Sequence, residues 1–238
     1  MATKNIMPGT LYLIPVPIAE NVQHTCAPEI MTITRRLQYY VVENARTARR
    51  ILRAWHPHLI LESIQISEID KHDGPDMQQL RQWLREGREI GVMSEAGCPA
   101  IADPGSELVA EAHALGAKIK PLTGPNSIIL ALMASGLGGQ SFAFWGYLPI
   151  KEPARGTRIK ALEVQSKKEQ QTQIFIETPY RNEALLADFL KHCAGSTRIC
   201  IAMHLTAENE LVQMKTVNEW RKSPPALEKE PAVFLMLA

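Results

Sequence analysis

Apolar residues along this chain follow two alternating rhythms, and the alternation predicts the fold. Short runs rich in β-branched residues read as buried strands; the stretches between them place apolar residues every three or four positions, as helices packed on a sheet do. In the first half, strands are predicted over residues 10–16, 38–42, near 60–66, over 88–93 and over 118–122. Helices are predicted over 28–37, from 46, over 75–86 and over 106–115. Pro28 suits a first helical turn, and Gly87 and Gly116 suit the ends of the last two helices. Strands separated by helices make parallel βαβ units. The second half has strands at 141–145, 172–177, 198–203, 210–216 and 231–237, with helices over 153–169 and from 182 to 192. Its shorter connections predict a mixed sheet. The expectation is an α/β protein of two α/β domains, residues 1–120 with a mainly parallel sheet and residues 121–238 with a mixed one. They are joined at Pro121-Leu-Thr-Gly-Pro-Asn-Ser127, where Pro125 suits a helix start and Ser127 can cap or turn its hydroxyl to a ligand.

One connection stands out. Ser94-Glu-Ala-Gly-Cys-Pro-Ala-Ile-Ala-Asp-Pro-Gly105 follows the apolar run at 88–93 and precedes the helix at 106–115. An ordinary strand-to-helix link needs about 2–6 residues. This one is nearly twice as long and almost free of large side chains. Gly97 and Pro99 bend it, and Asp103-Pro-Gly105 can cap the next helix. A roomy loop at the C-terminal end of a parallel strand is where open α/β sheets bind small molecules.

A second pattern is electrostatic. Arg46, Arg49, Arg50 and Arg53 fall at i, i+3, i+4 and i+7, which puts all four on one helical face. Such a face repels itself unless a partner takes up the charge, so it suits an anionic ligand, phosphate or nucleic acid; nearby carboxylates and solvent offer the alternative.

Composition narrows the field. The chain of 238 residues is 45% hydrophobic and 21% charged with a net charge of +1, ordinary for a globular protein and short of the basic balance of a dedicated nucleic-acid binder. No run of eighteen apolar residues predicts a membrane span, and the first residues lack a signal-peptide core, so a cytoplasmic location is expected. Cys26, Cys98, Cys193 and Cys200 form no CxxC pair and read as free, buried thiols. His56, His58 and His72 read as exposed loop histidines, and no metal site is expected.

Six blocks, in order, carry a family resemblance. They are Gly9-Thr-Leu-Tyr-Leu-Ile-Pro-Val-Pro-Ile18, Glu43-Asn-Ala-Arg46, Ser94-Glu-Ala-Gly-Cys-Pro99 with Asp103-Pro-Gly105, Leu122-Thr-Gly-Pro-Asn-Ser127 with Ala134-Ser-Gly-Leu137, Phe144-Trp-Gly-Tyr-Leu-Pro149 and Ile176-Glu-Thr-Pro-Tyr-Arg181. Together they resemble the tetrapyrrole methylase superfamily, whose members bind S-adenosylmethionine (SAM) in a cleft between two α/β domains. Within it, the chain is most similar to the bacterial ribosomal small-subunit RNA 2′-O-ribose methyltransferases acting on a cytidine. It departs from them at Ala19-Glu20 (usually Gly-Asn), at Asn44-Ala45 (usually Asp-Thr) and at Ala202-Met-His-Leu-Thr-Ala207 (usually Ala-Arg-Glu-Leu-Thr-Lys). The longer relatives also continue past the last strand into a helical region.

The resemblance implies a SAM site against the backbone of Glu95, Ala96, Gly97, Cys98, Pro99 and Ile101, closest at Gly97 and Cys98. It adds Pro17 and Ile18 from the first loop, and Ser127, Ile128, Glu177, Tyr180, Met203 and Pro231 from the second domain. Glu43 is the candidate base or positioning group, with Arg46 near a phosphate. A ribosomal RNA substrate and a homodimer are implied likewise. A small-molecule acceptor such as a tetrapyrrole, or a non-catalytic binding paralogue, are the alternatives. Methyl transfer from a sulfonium needs mainly alignment, and the sequence accordingly carries no Ser-His-Asp or Cys-His arrangement.

Overall fold

The computed structural model describes residues 7–238. Packing divides the chain after Asn126 into two compact units. The first contains β1 (Thr10–Leu13), α1 (Pro28–Thr34), β2 (Tyr39–Val42), α2 (Ala45–Trp55), β3 (Gln65–Glu68), α3 (Met77–Arg85), β4 (Glu89–Met93), α4 (Ser106–Ala114) and β5 (Lys118–Pro121). Its five strands lie in the order β3-β2-β4-β1-β5, all parallel.

Strand residues alternate between two cores, as a period of two requires. Tyr12, Ile14, Tyr40 and Val42 face α1 and α2 through Ile30, Ile33, Ala48, Ile51 and Leu52. Leu11, Val41, Ile90 and Val92 face α3 and α4 through Leu80, Trp83, Leu84, Leu108 and Ala112. Gly91 belongs to the first face, where a Cβ would lie 2.6 Å from Ile14 Cδ1 and 2.9 Å from the Tyr40 ring. The chain leaves β1 toward β2 and leaves its neighbour β4 toward β5, in opposite directions. The C-terminal ends of β1 and β4 therefore form the topological switch point of this sheet, the place where such folds bind ligands.

The second unit contains α5 (Ser127–Ala134), β6 (Phe142–Phe144), α6 (Ala154–Glu169), β7 (Thr172–Glu177), α7 (Asn182–His192), β8 (Arg198–Met203), β9 (Leu211–Thr216), α8 (Val217–Lys222) and β10 (Ala232–Leu237). Its sheet runs β6-β7-β10-β8-β9, with β6 and β7 parallel and the other pairs antiparallel. Ile159 and Leu162 of α6, Leu185 and Phe189 of α7 and Trp220 of α8 pack over Phe175, Ile199, Ile201 and Phe234. Buried beside them, Arg155 is ion-paired with Asp188 and donates from Nη1 to the Ile150 carbonyl at 3.0 Å. The architecture is the expected one: two α/β units, one sheet parallel and one mixed.

Several local expectations are corrected. The first unit runs to Asn126, within the join expected at residues 121–127, and the Leu122 N–H donates to the Leu13 carbonyl, keeping the chain on the first sheet beyond β5. The strand expected near 60–66 lies at Gln65–Glu68, since a 3-10 turn occupies Leu61–Ser63. Helix α1 stops at Thr34, whose hydroxyl donates back to the Ile30 carbonyl at 2.7 Å while Leu37 turns into the core. Helix α3 begins at Met77 because Asp76 accepts from the Gln79 N–H and caps it. Helix α5 begins at Ser127, two residues past Pro125. His56 is buried rather than exposed, its Nε2 2.8 Å from the Thr34 hydroxyl, and burial pushes its pKa down. Helix α8 went unread in the sequence, although Thr216 and Glu219 form a capping box at its start. Cys26, Cys193 and Cys200 are buried free thiols, while Cys98 is half-buried.

Candidate active site

The switch point is built by two loops tied together. After β1, the Val16 N–H donates to the Gly97 carbonyl at 2.9 Å, and the Gly97 N–H returns a 3.1 Å bond to the Val16 carbonyl. This isolated antiparallel bridge fixes residues 94–105 over the ends of β1 and β4. Gly97 has φ +70°, a left-handed backbone that favours glycine, and a Cβ there would meet Ile18 Cγ2 at 3.4 Å. Ala100 and Ala102 are also left-handed, at φ 67° and 63°. Strain of this kind is held in place by its surroundings and gathers at ligand sites. Within the segment expected to cap α4, Gly105 occupies the N-cap at φ +131°, and no side chain, Asp103 included, makes a cap bond. The loop after β5 closes on the same place. Gly124 lies so near Pro15 that a Cβ would sit 2.3 Å from the proline Cβ, and the Cys98 thiol donates to the Pro125 carbonyl at 3.4 Å.

Carboxylates gather around this loop. Glu43, at the end of β2, accepts a 3.0 Å hydrogen bond from the Glu95 N–H through Oε2. The Thr47 hydroxyl on α2 donates to Glu95 Oε1 at 3.2 Å, and Asn44 caps α2 by accepting from the Thr47 N–H. Asp103 is pushed up to about 6, first by burial and then by the charges of Glu43 and Glu95, with a Ser94 hydrogen bond working against them. Sequence reasoning missed Val16, Thr47 and the acidic role of Asp103. For the last a signal existed: a carboxylate set among small apolar residues in a long loop.

Of the residues expected to bind the donor, the first unit brings Pro17, Ile18, Glu95, Ala96, Gly97, Cys98 and Pro99 around the bridge, with Ile101 exposed on the loop's far turn. Glu43 stands beside them, and Arg46 is exposed on the first turn of α2. In the second unit, Glu177 and Met203 both register with Ala232, so with Pro231 they meet at one end of the sheet. Glu177 is buried there and its Oε1 is engaged by Arg181 and the Thr178 N–H, while Met203 packs into the core. Ile128 is buried, Ser127 begins α5, and Tyr180 is 85% exposed. Glu152, Asp188 and His192 come within 4.8 Å of one another, but Arg155 and Lys191 already balance them as an ion-pair network.

No protein-family model matches the chain. It is 34% identical over 203 residues to Ribosomal RNA small subunit methyltransferase I of Vibrio cholerae, covering 85% of this chain and 67% of that protein. The protein of the same name from Halalkalibacterium halodurans is 34% identical over 211 residues, with coverage of 89% and 69%. Its counterpart from Micromonospora olivasterospora is 33% identical over 89% of this chain but 64% of its own length, so the chain spans under two thirds of that relative. Solved structures share the fold: diphthine synthase with TM-score 0.63 at 12% identity, covering 97% of this chain and 90% of that one, and uroporphyrin-III-C-methyltransferase from Thermus thermophilus with TM-score 0.56 at 14% identity, covering 96% and 92%. The chain belongs to the ribosomal RNA small subunit methyltransferase I family, a family of methyltransferases.

Proposed function

We propose that this protein uses SAM to methylate a ribose 2′-hydroxyl of ribosomal RNA, with the donor held at the bridged loops of the first unit. The observation that carries the reading is the Val16–Gly97 bridge at the switch point, with Glu43 bonded to the backbone of the same loop. The residues fit the donor. Small side chains and left-handed turns at 97, 100 and 102 leave backbone free for an adenosine, and Glu43, Glu95 and Asp103 suit a cationic sulfonium.

SAM supplies an electrophilic methyl with a neutral thioether as leaving group. The protein's share is alignment, which can supply several kcal/mol, up to roughly 7–11. Glu43 Oε2 is held by the Glu95 N–H, and Oε1 carries no hydrogen bond among the described residues. That oxygen is free to accept the 2′-hydroxyl proton as the new O–C bond forms and the S–C bond breaks. Arg46 is exposed one turn away to meet a phosphate.

The family resemblance also implies a homodimer; among the described residues no helix is long and apolar enough to cross a membrane. Calorimetric titration with SAM and its demethylated product tests the donor site, and labelled methyl transfer to small ribosomal subunits tests the acceptor. Micromolar binding lost in Gly97→Trp, with label in ribose, supports the reading. Binding without transfer to any subunit or RNA overturns the acceptor assignment.

A further inference from the structure

Helix α2 presents two unlike faces. Ala45, Ala48, Ile51 and Leu52 are buried against the sheet, and Arg46, Arg49, Arg50 and Arg53 are all exposed on the other side. Of the other exposed arginines in this unit, Arg36 pairs with Glu89, Arg81 with Glu111 and Arg88 with Glu86, while Arg35 and Arg85 make no ion pair among the described residues; only α2 gathers four such side chains on one face. Among the described residues, none of the four α2 arginines has an ion pair or side-chain hydrogen bond; all four stand in solvent. Together with Leu61, Glu62 and Ile64 they line one hollow, whose half-buried Leu61 and Ile64 form an aliphatic floor. The row starts next to Glu43 and runs about 10 Å along the helix, at 1.5 Å per residue.

We propose that this hollow is the track for the phosphate backbone of the acceptor strand, holding single-stranded nucleotides that flank the methylated ribose. Guanidinium forks match phosphate oxygens, and an aliphatic floor can take a base or ribose face. Because Asn44 caps α2 and Glu43 precedes it, the element that carries the track also sets the acceptor hydroxyl against the donor loop. The inference rests on RNA being the acceptor, and it names where this chain, near neutral overall, keeps its RNA-binding charge.

The test is the triple variant Arg49→Ala/Arg50→Ala/Arg53→Ala, leaving Arg46 in place. Its probes are a fluorescent single-stranded ribosomal RNA oligonucleotide, a polyglutamate competitor, SAM titration and transfer to small subunits. At low salt the variant should lose at least about tenfold in RNA affinity, and the slope of log K against log salt should shrink by roughly 2, near 0.7 per lost contact. SAM affinity and thermal midpoint should stay as in the parent, and the triple lysine variant should regain the slope but not the full affinity. Unchanged affinity and slope in the alanine variant overturn the track, even where the parent methylates RNA normally. Absence of RNA binding by the parent, or equal competition by polyglutamate, also overturns it. A parent that binds RNA through these arginines yet transfers no methyl leaves the track standing and removes the ribose assignment.

Discussion

Glu43 and Glu95, 52 positions apart, are joined by a 3.0 Å hydrogen bond in which the Glu95 backbone N–H donates to Glu43 Oε2. The bond turns one carboxylate oxygen into an anchor, and in the proposed reaction the other takes the acceptor's proton. Glu43→Gln keeps the shape and removes the proton-accepting charge. Single-turnover methyl transfer should fall at least about 100-fold while SAM affinity changes less than about twofold. Unchanged turnover would remove Glu43 from the chemistry.

Gly97 is constrained by its backbone more than by space. At φ +70°, an L side chain costs roughly 1–2 kcal/mol. Gly97→Ala should therefore lower the thermal midpoint by a few degrees, given about 2–4 °C per kcal/mol for a chain of this size. It should also weaken SAM binding, because the Val16 bridge shifts with it. Scanning calorimetry and titration together check both; a midpoint and an affinity equal to the parent's would contradict the role given to this loop.

At the proposed donor site, Asp103 is expected to make binding depend on pH. With its pKa raised to about 6, it is charged at pH 7.5 and takes up a proton as pH falls through 6. Affinity for the cationic donor should drop roughly tenfold over that interval, and Asp103→Asn should flatten the profile. Stability moves the other way. The folded-state pKa lies above the ordinary 3.8, so the folded chain holds this proton more tightly than the unfolded one. That stability is present below about pH 4 and lost as pH rises through 6. Urea unfolding at pH 5 and 7.5, in parent and Asp103→Asn, reads the difference. Glu43, Glu95 and Ser94 face the same carboxyl, so their variants are the controls.

The ion pair of Arg155 and Asp188 is buried between α6 and α7. Removing one partner strands the other charge, which typically costs 3–5 kcal/mol. Asp188→Ala should lower unfolding free energy by about 3 kcal/mol, and Arg155→Met/Asp188→Leu should recover much of it. If the double variant is no more stable than the single one, the pair is not what holds these helices.

Period and turn chemistry made the fold legible. Strand and helix in the first unit alternate cleanly: the central strands β1, β2 and β4 are buried on both faces, and the breaks at Gly87 and Gly116 are true helix ends, both at positive φ. What escaped depended on partners distant in sequence. His56 looks like a loop histidine until Thr34 comes to it, and Val16 looks like a strand end until Gly97 bonds to it. The candidate site was legible as a loop and a motif. Its electrostatics were not, because Glu43, Glu95 and Asp103 meet only when β2 and β4 pair.

The contact between Gly124 and Pro15 has a consequence for anyone rebuilding this enzyme. With 2.3 Å between the proline Cβ and the place a side chain at 124 would begin, the segments after β1 and β5 form one interlocked part. A chimera that imports either segment alone from a distant homologue brings its own residue into a space already filled. Redesigning these loops therefore means exchanging both segments in a single cassette.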